Sequence, residues 1–184
     1  MVHRRDTRER LVHAAADLFW ARGYEAASLA DIAREASVPV GNVFYHFRAK
    51  SDLGRAVAGL FVAEAAAALA GIERRHGEPR ARIGAFVDLL AESTASRVAR
   101  GCPIARAARE FPREAGEAGA AAVFALMGAW LEAQLAGAGA ADPPAVARSA
   151  LARWQGAIVL ASALGDATVL TGEIEALRRD LARA

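Results

Sequence analysis

The chain has 184 residues, 24% of them charged, and a formal net charge of only +2, so charge by itself points to no nucleic-acid partner. Its length suits a small domain beside a larger one, and its single cysteine excludes an internal disulfide framework. Alanine fills about a quarter of the chain, which favours helix nearly throughout. Lys50 is the only lysine; with so much Arg, Ala and Gly, this reads as the codon bias of a GC-rich genome.

In chain order, Asp6 and Glu9 have the spacing of a capping box, and Leu11, Ala14, Ala15, Leu18 and Phe19 then form the apolar face of a helix that stops at Gly23. Ser28 and Asp31 repeat that box ahead of Leu29, Ile32, Ala33 and Ala36, predicting a helix from about Leu29 to Ala36. Ser37 stands at the corner and Val38 packs inward. Pro39 suits the first turn of a second helix, running to about Phe47, because its missing N–H has no intrahelical partner there. Leu53 and Val57 start a fourth helix in phase with the same core.

A helix, a tight turn and a short second helix over about 28–47 form the arrangement that lays its second helix in the DNA major groove, N-terminal residues over the base edges. Val40 and Asn42 are then the candidate readers. Asn pairs bidentately with adenine and an apolar side chain touches a thymine methyl, so both favour A·T pairs; no Arg or Lys stands there to read guanine. Gly41 lets the backbone approach closely. Tyr45 and His46 can bond phosphate or sugar, with Arg48 and Lys50 beside the next helix start, where free N–H groups attract anions. Phe44, Tyr45 and Phe47 alone would read as core; the order of the surrounding features favours contact. Residues 1–55 carry nine basic against seven acidic side chains, hence the whole positive excess.

This pattern resembles the TetR family of bacterial transcriptional regulators. The resemblance rests on Ala15, Leu18, Phe19, Gly23, Tyr24, Ser28, Leu29, Asp31, Ile32, Ala33, Ala36, Val38, Gly41, Tyr45, His46, Phe47, Lys50 and Leu53, at near-fixed spacing over the first third of the chain. Ser37 replaces the family's usual turn glycine, Val40 a commonly polar or basic residue, and Ala49 a Ser or Thr cap. The resemblance implies an all-α protein with a helix-turn-helix DNA-binding domain at 1–50 and a helical ligand-binding and dimerisation domain at 51–184. It implies a homodimer on a palindromic operator in double-stranded DNA, more a repressor than an activator, released by a small-molecule effector. The DNA-binding set is Ser28, Val40, Gly41, Asn42, Phe44, Tyr45, His46 and Lys50.

Gly and Pro divide the rest of the chain. Helices are predicted from Ser51 to about Arg75, Arg80 to about Arg100, and Pro103 to Phe111. Another opens at Pro112 and carries Val123, Phe124, Met127, Trp130 and Leu131 as far as the Gly-rich loop 136–144; the last two span about Ala145 to Gly165 and Thr168 to Ala182. No strand pattern competes. Leu170, Ile174, Leu177 and Leu181 form a stripe that, with Trp154, Ile158 and Ala161, reads as a dimer interface or as internal packing. In the resembled family the last two helices pair with their copies as a four-helix bundle. Phe61, Phe86, Leu90, Phe124, Met127, Trp130 and Trp154 offer apolar walls for an effector pocket, with Ser93, Thr94, Arg97 and Gln134 as polar groups; each taken singly also reads as core.

Cys102 precedes Pro103 at a helix start near Arg97, Arg100 and Arg106, a setting that can stabilise a thiolate. It therefore joins the pocket set and supports an alternative reading as a thiol-based electrophile or oxidant sensor, against the simpler reading as a buried packing residue. His3, His13, His46 and His76 lack metal-ligand spacing, and no HExxH, CxxC, GxSxG or P-loop pattern occurs. No metal, cofactor or catalytic residue is expected, and the protein is not expected to be an enzyme. The charged N-terminus, with the apolar stretch after it broken by Asp17 and Arg22, argues against a signal peptide, and runs such as Trp154 to Gly165 are too short to cross a bilayer. A cytoplasmic protein without a membrane partner is expected. A reading of another class is a helical small-molecule-binding protein or enzyme with a vestigial head.

Overall fold

A computed structural model describes residues 2–112 and 119–184, with side chains from Asp6 onward. The described residues form ten α-helices and a 3-10 turn, and no strand occurs among them. The order is α1 Val2–Arg22, α2 Leu29–Glu35, α3 Val40–His46, α4 Lys50–Arg75, α5 Pro79–Ala91, α6 Thr94–Arg100 and α7 Pro103–Glu110. The 3-10 turn Gly119–Ala121 leads into α8 Ala122–Ala138, followed by α9 Pro143–Leu164 and α10 Ala167–Leu181.

Two expected boundaries differ. α1 already runs through Asp6 and Glu9; nothing in the preceding residues breaks a helix, so Asp6 caps nothing. The single helix expected over 80–100 is two, because Glu92 turns extended (φ −58°, ψ 147°) and Ser93 is left-handed (φ +59°). The Thr94 hydroxyl, bonded to the Ala91 carbonyl at 2.6 Å, satisfies one of the acceptors left at the end of α5. The helix expected to open at Pro112 would run through residues 113–118, which lie outside the described residues.

Packing divides the chain into two compact units, Met1–Ala63 with Pro103–Ala122, and Glu64–Cys102 with Val123–Ala184. The first extends past the expected cut at residue 50 because the first half of α4 and all of α7 join the head. Its core holds Leu11, Ala15, Phe19, Ile32, Ala33, Val43, Phe47, Leu53 and Val57. Phe61, expected in the pocket, packs against this core instead. Phe111 closes a cluster with Phe19 and Tyr24, ring centroids 5.1 to 5.3 Å apart, and each such pair contributes roughly 0.5–1.5 kcal/mol beyond its burial.

In the second unit α9 and α10 lie against each other, and Arg153 ties them through Glu173 at 2.6 Å and Asp180 at 2.9 Å. The expected interface residues are consumed here: Trp154, Ile158, Ala161, Leu170, Ile174, Leu177 and Leu181 are all buried within the one chain. A residue already covered by its own fold has no surface left for a partner. The apolar side chains that α9 leaves uncovered are Val159, Leu160 and Leu164, 64, 56 and 68% exposed. Lys50–Arg75 and Gly119–Ala138 are long and apolar enough, by length and composition, to cross a membrane, contrary to the expectation that no run reaches that length. Both are alanine-rich, and the same property suits a helix buried along one side.

Candidate nucleic-acid interface

Ser28 opens α2 with a reciprocal cap. Its Oγ accepts from the Asp31 N–H at 3.1 Å, and the Asp31 carboxylate accepts the Ser28 N–H at 3.3 Å and hydroxyl at 2.6 Å. Asp31 also pairs with Arg34. The hydrogen bonds from Ser28 and then that from Arg34 hold the Asp31 carboxyl well below its ordinary value, at about 2. Ser28, assigned to DNA contact, thus spends its hydroxyl within the cap.

The turn between α2 and α3 is tight because Ser37 adopts φ +53°, the left-handed region that favours glycine. Val38 N–H then donates to Ala33 carbonyl at 2.9 Å. Arg10 reaches from α1 to the carbonyls of Ala36 and Ser37, the latter at 3.1 Å. This clamp was invisible in the sequence, since its partners lie 26 and 27 residues away.

The amphipathic pattern of α3 fixes which residues face outward. Val43 and Phe47, one turn apart, are 0 and 3% exposed and anchor the helix to the core. Val40, Phe44 and Tyr45 are 44, 57 and 63% exposed, and Gly41 and Asn42 are also exposed. No atom lies within 4 Å of where a Cβ on Gly41 would stand, so the backbone is open to a close approach. His46 is half-buried, its ring 5.1 Å from that of Tyr45 and nearly perpendicular to it.

Lys50 departs from the expected phosphate contact: its Nζ donates to the Glu25 carbonyl at 3.1 Å and stands 4.6 Å from the centre of the Tyr24 ring. Asp52 does the work of the missing cap at Ala49, accepting the N–H groups of Arg48 and Ala49 at 3.0 Å each. Arg48 keeps an exposed side chain just past α3.

A second device missed in the sequence closes α1. Arg106 Nη1 donates to the Trp20 carbonyl at 2.9 Å, Glu110 Oε2 accepts the Tyr24 N–H at 2.8 Å, and the two side chains pair with each other at 2.8 Å. Their spacing on α7 was readable as an i,i+4 pair; their target was not.

The effector residues behave mostly as packing. Phe86 and Leu90 are buried on α5, with Phe86 stacked on half-buried Trp130 at 5.5 Å. Met127 is buried and Phe124 half-buried on α8. Trp130 donates to Glu73 at 2.9 Å, and Gln134 accepts from Arg82 at 3.3 Å. Thr94 is committed to the end of α5. Cys102 is 7% exposed and receives one weak bond, from Gln155 Nε2 at 3.6 Å. An open cleft of about 360 Å³ lies elsewhere in this unit, lined by Ala145, Val146, Arg153, Leu177 and Leu181 among others.

Residues 11–57 match the family model of bacterial regulatory proteins, tetR family. Over 53 residues the chain is 42% identical to the uncharacterized HTH-type transcriptional regulator TtgW of Pseudomonas putida, covering 29% of this chain and 40% of that protein. It is likewise 42% identical over 52 residues to the HTH-type transcriptional regulator SrpR of Pseudomonas putida, covering 28% of this chain and 24% of SrpR. These matches span less than half the length of either regulator. The likeness to solved structures runs further: a TetR transcriptional regulator from Legionella pneumophila superposes with a TM-score of 0.80 at 27% identity, over 94% of this chain and 95% of that one.

Proposed function

We propose that the chain, whose residues 11–57 match the model of the tetR family of bacterial regulatory proteins, is a homodimeric repressor of that family that binds a palindromic operator and is released by a small molecule. The observation that carries this reading is the outward face of α3. Val40, Asn42, Phe44 and Tyr45 stand exposed on a helix whose other face is anchored by Val43 and Phe47. Three exposed apolar or aromatic side chains within six residues face outward from the head, and a groove offers them thymine methyls, sugars and phosphates.

Val40 and Asn42 read bases; Tyr45, His46 and Arg48 bond the backbone and set register. Ser28 and Lys50 position the head, through the α2 cap and through Tyr24 and Glu25. One short helix reads too few base pairs to select a site, so two heads about 34–36 Å apart are needed. The uncovered stripe of Val159, Leu160 and Leu164 on α9 is the surface that joins the two copies. The effector binds in the second unit and acts by favouring a conformation whose heads do not fit the operator. This work is done in the cytoplasm, on double-stranded DNA, without a catalytic step.

The test is selection of the purified chain on a randomised duplex pool, followed by titration of the enriched site at two salt concentrations. An inverted repeat is expected, with log affinity falling against log salt by about 0.9 per phosphate neutralised. A pool without consensus would overturn the reading.

A further inference from the structure

Half-buried Arg97 carries guanidinium N–H groups that its surroundings do not answer. Its Nε and Nη1 are buried without a hydrogen-bond partner, the only side-chain nitrogen or oxygen atoms so left among the described residues. The guanidinium carbon stands 4.8 Å from the ring centre of Trp154, which is 1% exposed. Burial pulls the Arg97 pKa down, with Cys102 and Glu92 opposing electrostatically, but neither supplies an acceptor within reach. Beside it the Gln155 amide donates only to the Cys102 sulfur, a weak acceptor, at 3.6 Å. The imbalance has one sign: surplus N–H donors at Nε and Nη1 of a cationic side chain, with no acceptor for either.

A protein rarely keeps a buried charge unpaired, because desolvating it costs much more than an aromatic face returns. An apolar ligand would leave the cost in place, and a neutral acceptor would satisfy the N–H groups but not the charge. An anion answers both. A guanidinium stacked against an indole donates in its own plane, where the oxygens of a carboxylate can take its N–H groups. Leu90, whose carbonyl takes the Trp154 N–H at 3.3 Å, and Phe86 one turn before it on α5 are buried and apolar, which suits a monoanion with an apolar body rather than a multiply charged phosphate.

We propose that Arg97, set against Trp154, is the receptor for a carboxylate, so that the effector of this regulator is an apolar carboxylic acid. This rests on the effector-released reading above. The unpaired guanidinium then explains how the effector gains affinity: it repays a charge the empty protein holds at a cost, and a conformation that seats the acid is favoured by that amount.

The experiment uses the full chain with octanoate and benzoate as probes and octanamide and benzamide as uncharged counterparts, read by tryptophan fluorescence and melting temperature. A carboxylate is expected to bind at least tenfold tighter than its amide. Arg97→Met should abolish that preference without lowering the melting temperature of the unliganded protein, since it removes an unsatisfied charge; Arg97→Lys should keep part of it. Equal binding of acid and amide, absence of binding by both acids, or a preference surviving in Arg97→Met overturns the proposal. So does an Arg97→Met protein that melts well below the parent, or one whose dimer dissociates without any carboxylate effect, the sign of a partner's carboxylate. Operator binding measured alongside separates the two readings: a parent that binds its operator but neither acid loses only the carboxylate site, whereas one that prefers the acids but finds no operator loses only the regulator.

Discussion

Asn42, exposed on α3, and Asp31, half-buried in the first turn of α2, should act differently in the same head. Asn42 is exposed on α3, so its replacement touches recognition and not folding. Asn42→Ala should lower affinity for the selected operator by roughly 1–3 kcal/mol, the worth of one bidentate base contact, with an unchanged melting temperature. Competition between the selected site and variants at the A·T pair it reads would check this; an unaltered preference would remove Asn42 from the readers. Asp31 acts on stability. Its folded carboxyl titrates at about 2 against an ordinary 3.8, because of the Ser28 hydrogen bonds first and the Arg34 bond second. A depressed carboxylate stabilises the fold above its ordinary pKa, and that contribution is lost as pH falls through the folded value. The difference in melting temperature between the parent and Asp31→Ala should therefore hold at neutral pH and shrink between about pH 4 and about pH 2, while NMR titration of the Asp31 carboxyl gives a midpoint near the lower end. The Ser28–Asp31 cap and the outward placement of Asn42 were legible, since both follow from short spacings. Lys50 was not, because the ring and carbonyl that hold it come from a separate loop.

Helices with chemical punctuation were read almost to the residue. Ser28, Pro39 and Gly23 mark real ends because each settles a backbone group locally, whereas α9 begins at Pro143, inside the loop expected over 136–144, because the Asp142 side chain caps it. The break between α5 and α6 escaped because neither Gly nor Pro stands there. Instead Ser93 takes a left-handed conformation that packing must enforce, at a cost a glycine would not incur. Ser37 does the same at the turn into α3, with φ +53°. Ser37→Gly should relieve that strain, partly offset by the greater freedom glycine brings to the unfolded chain, for a net gain of roughly 0.5–1 kcal/mol. Urea denaturation measures it, as a higher midpoint with an unchanged slope. Operator affinity should stay within about twofold, because the φ +53° turn is retained and the α3 contacts are untouched. A loss of stability would mean that the Ser37 side chain makes a contribution larger than the strain it carries.

At the scale of the whole molecule, periodicity tells that a helix has an apolar face but not whose surface meets it. The stripe Leu170, Ile174, Leu177 and Leu181 has the spacing of an interface, and the chain covers it itself, with α9 and α5 packed against α10. Only the folded arrangement reveals what is left over. On α9 that is Val159, Leu160 and Leu164, accompanied by exposed Ala152, Gly156 and Ala163, a row at three- and four-residue steps whose small members let a second helix approach closely. The two sets should therefore fail in different ways. Leu160→Glu, alone or with Leu164→Glu, places charge where a copy must dock and should give a folded monomer, seen by sedimentation, with a melting curve little changed at high concentration and operator affinity reduced at least tenfold because one head no longer recruits the other. Trp154→Ala removes a side chain that is 1% exposed and should cost about 3–5 kcal/mol of stability, so it unfolds the unit before any question of assembly arises. If Leu160→Glu left the dimer intact while retaining its fold, the α9 face would not be the junction, and the spacing of the two heads would have to be set by another surface.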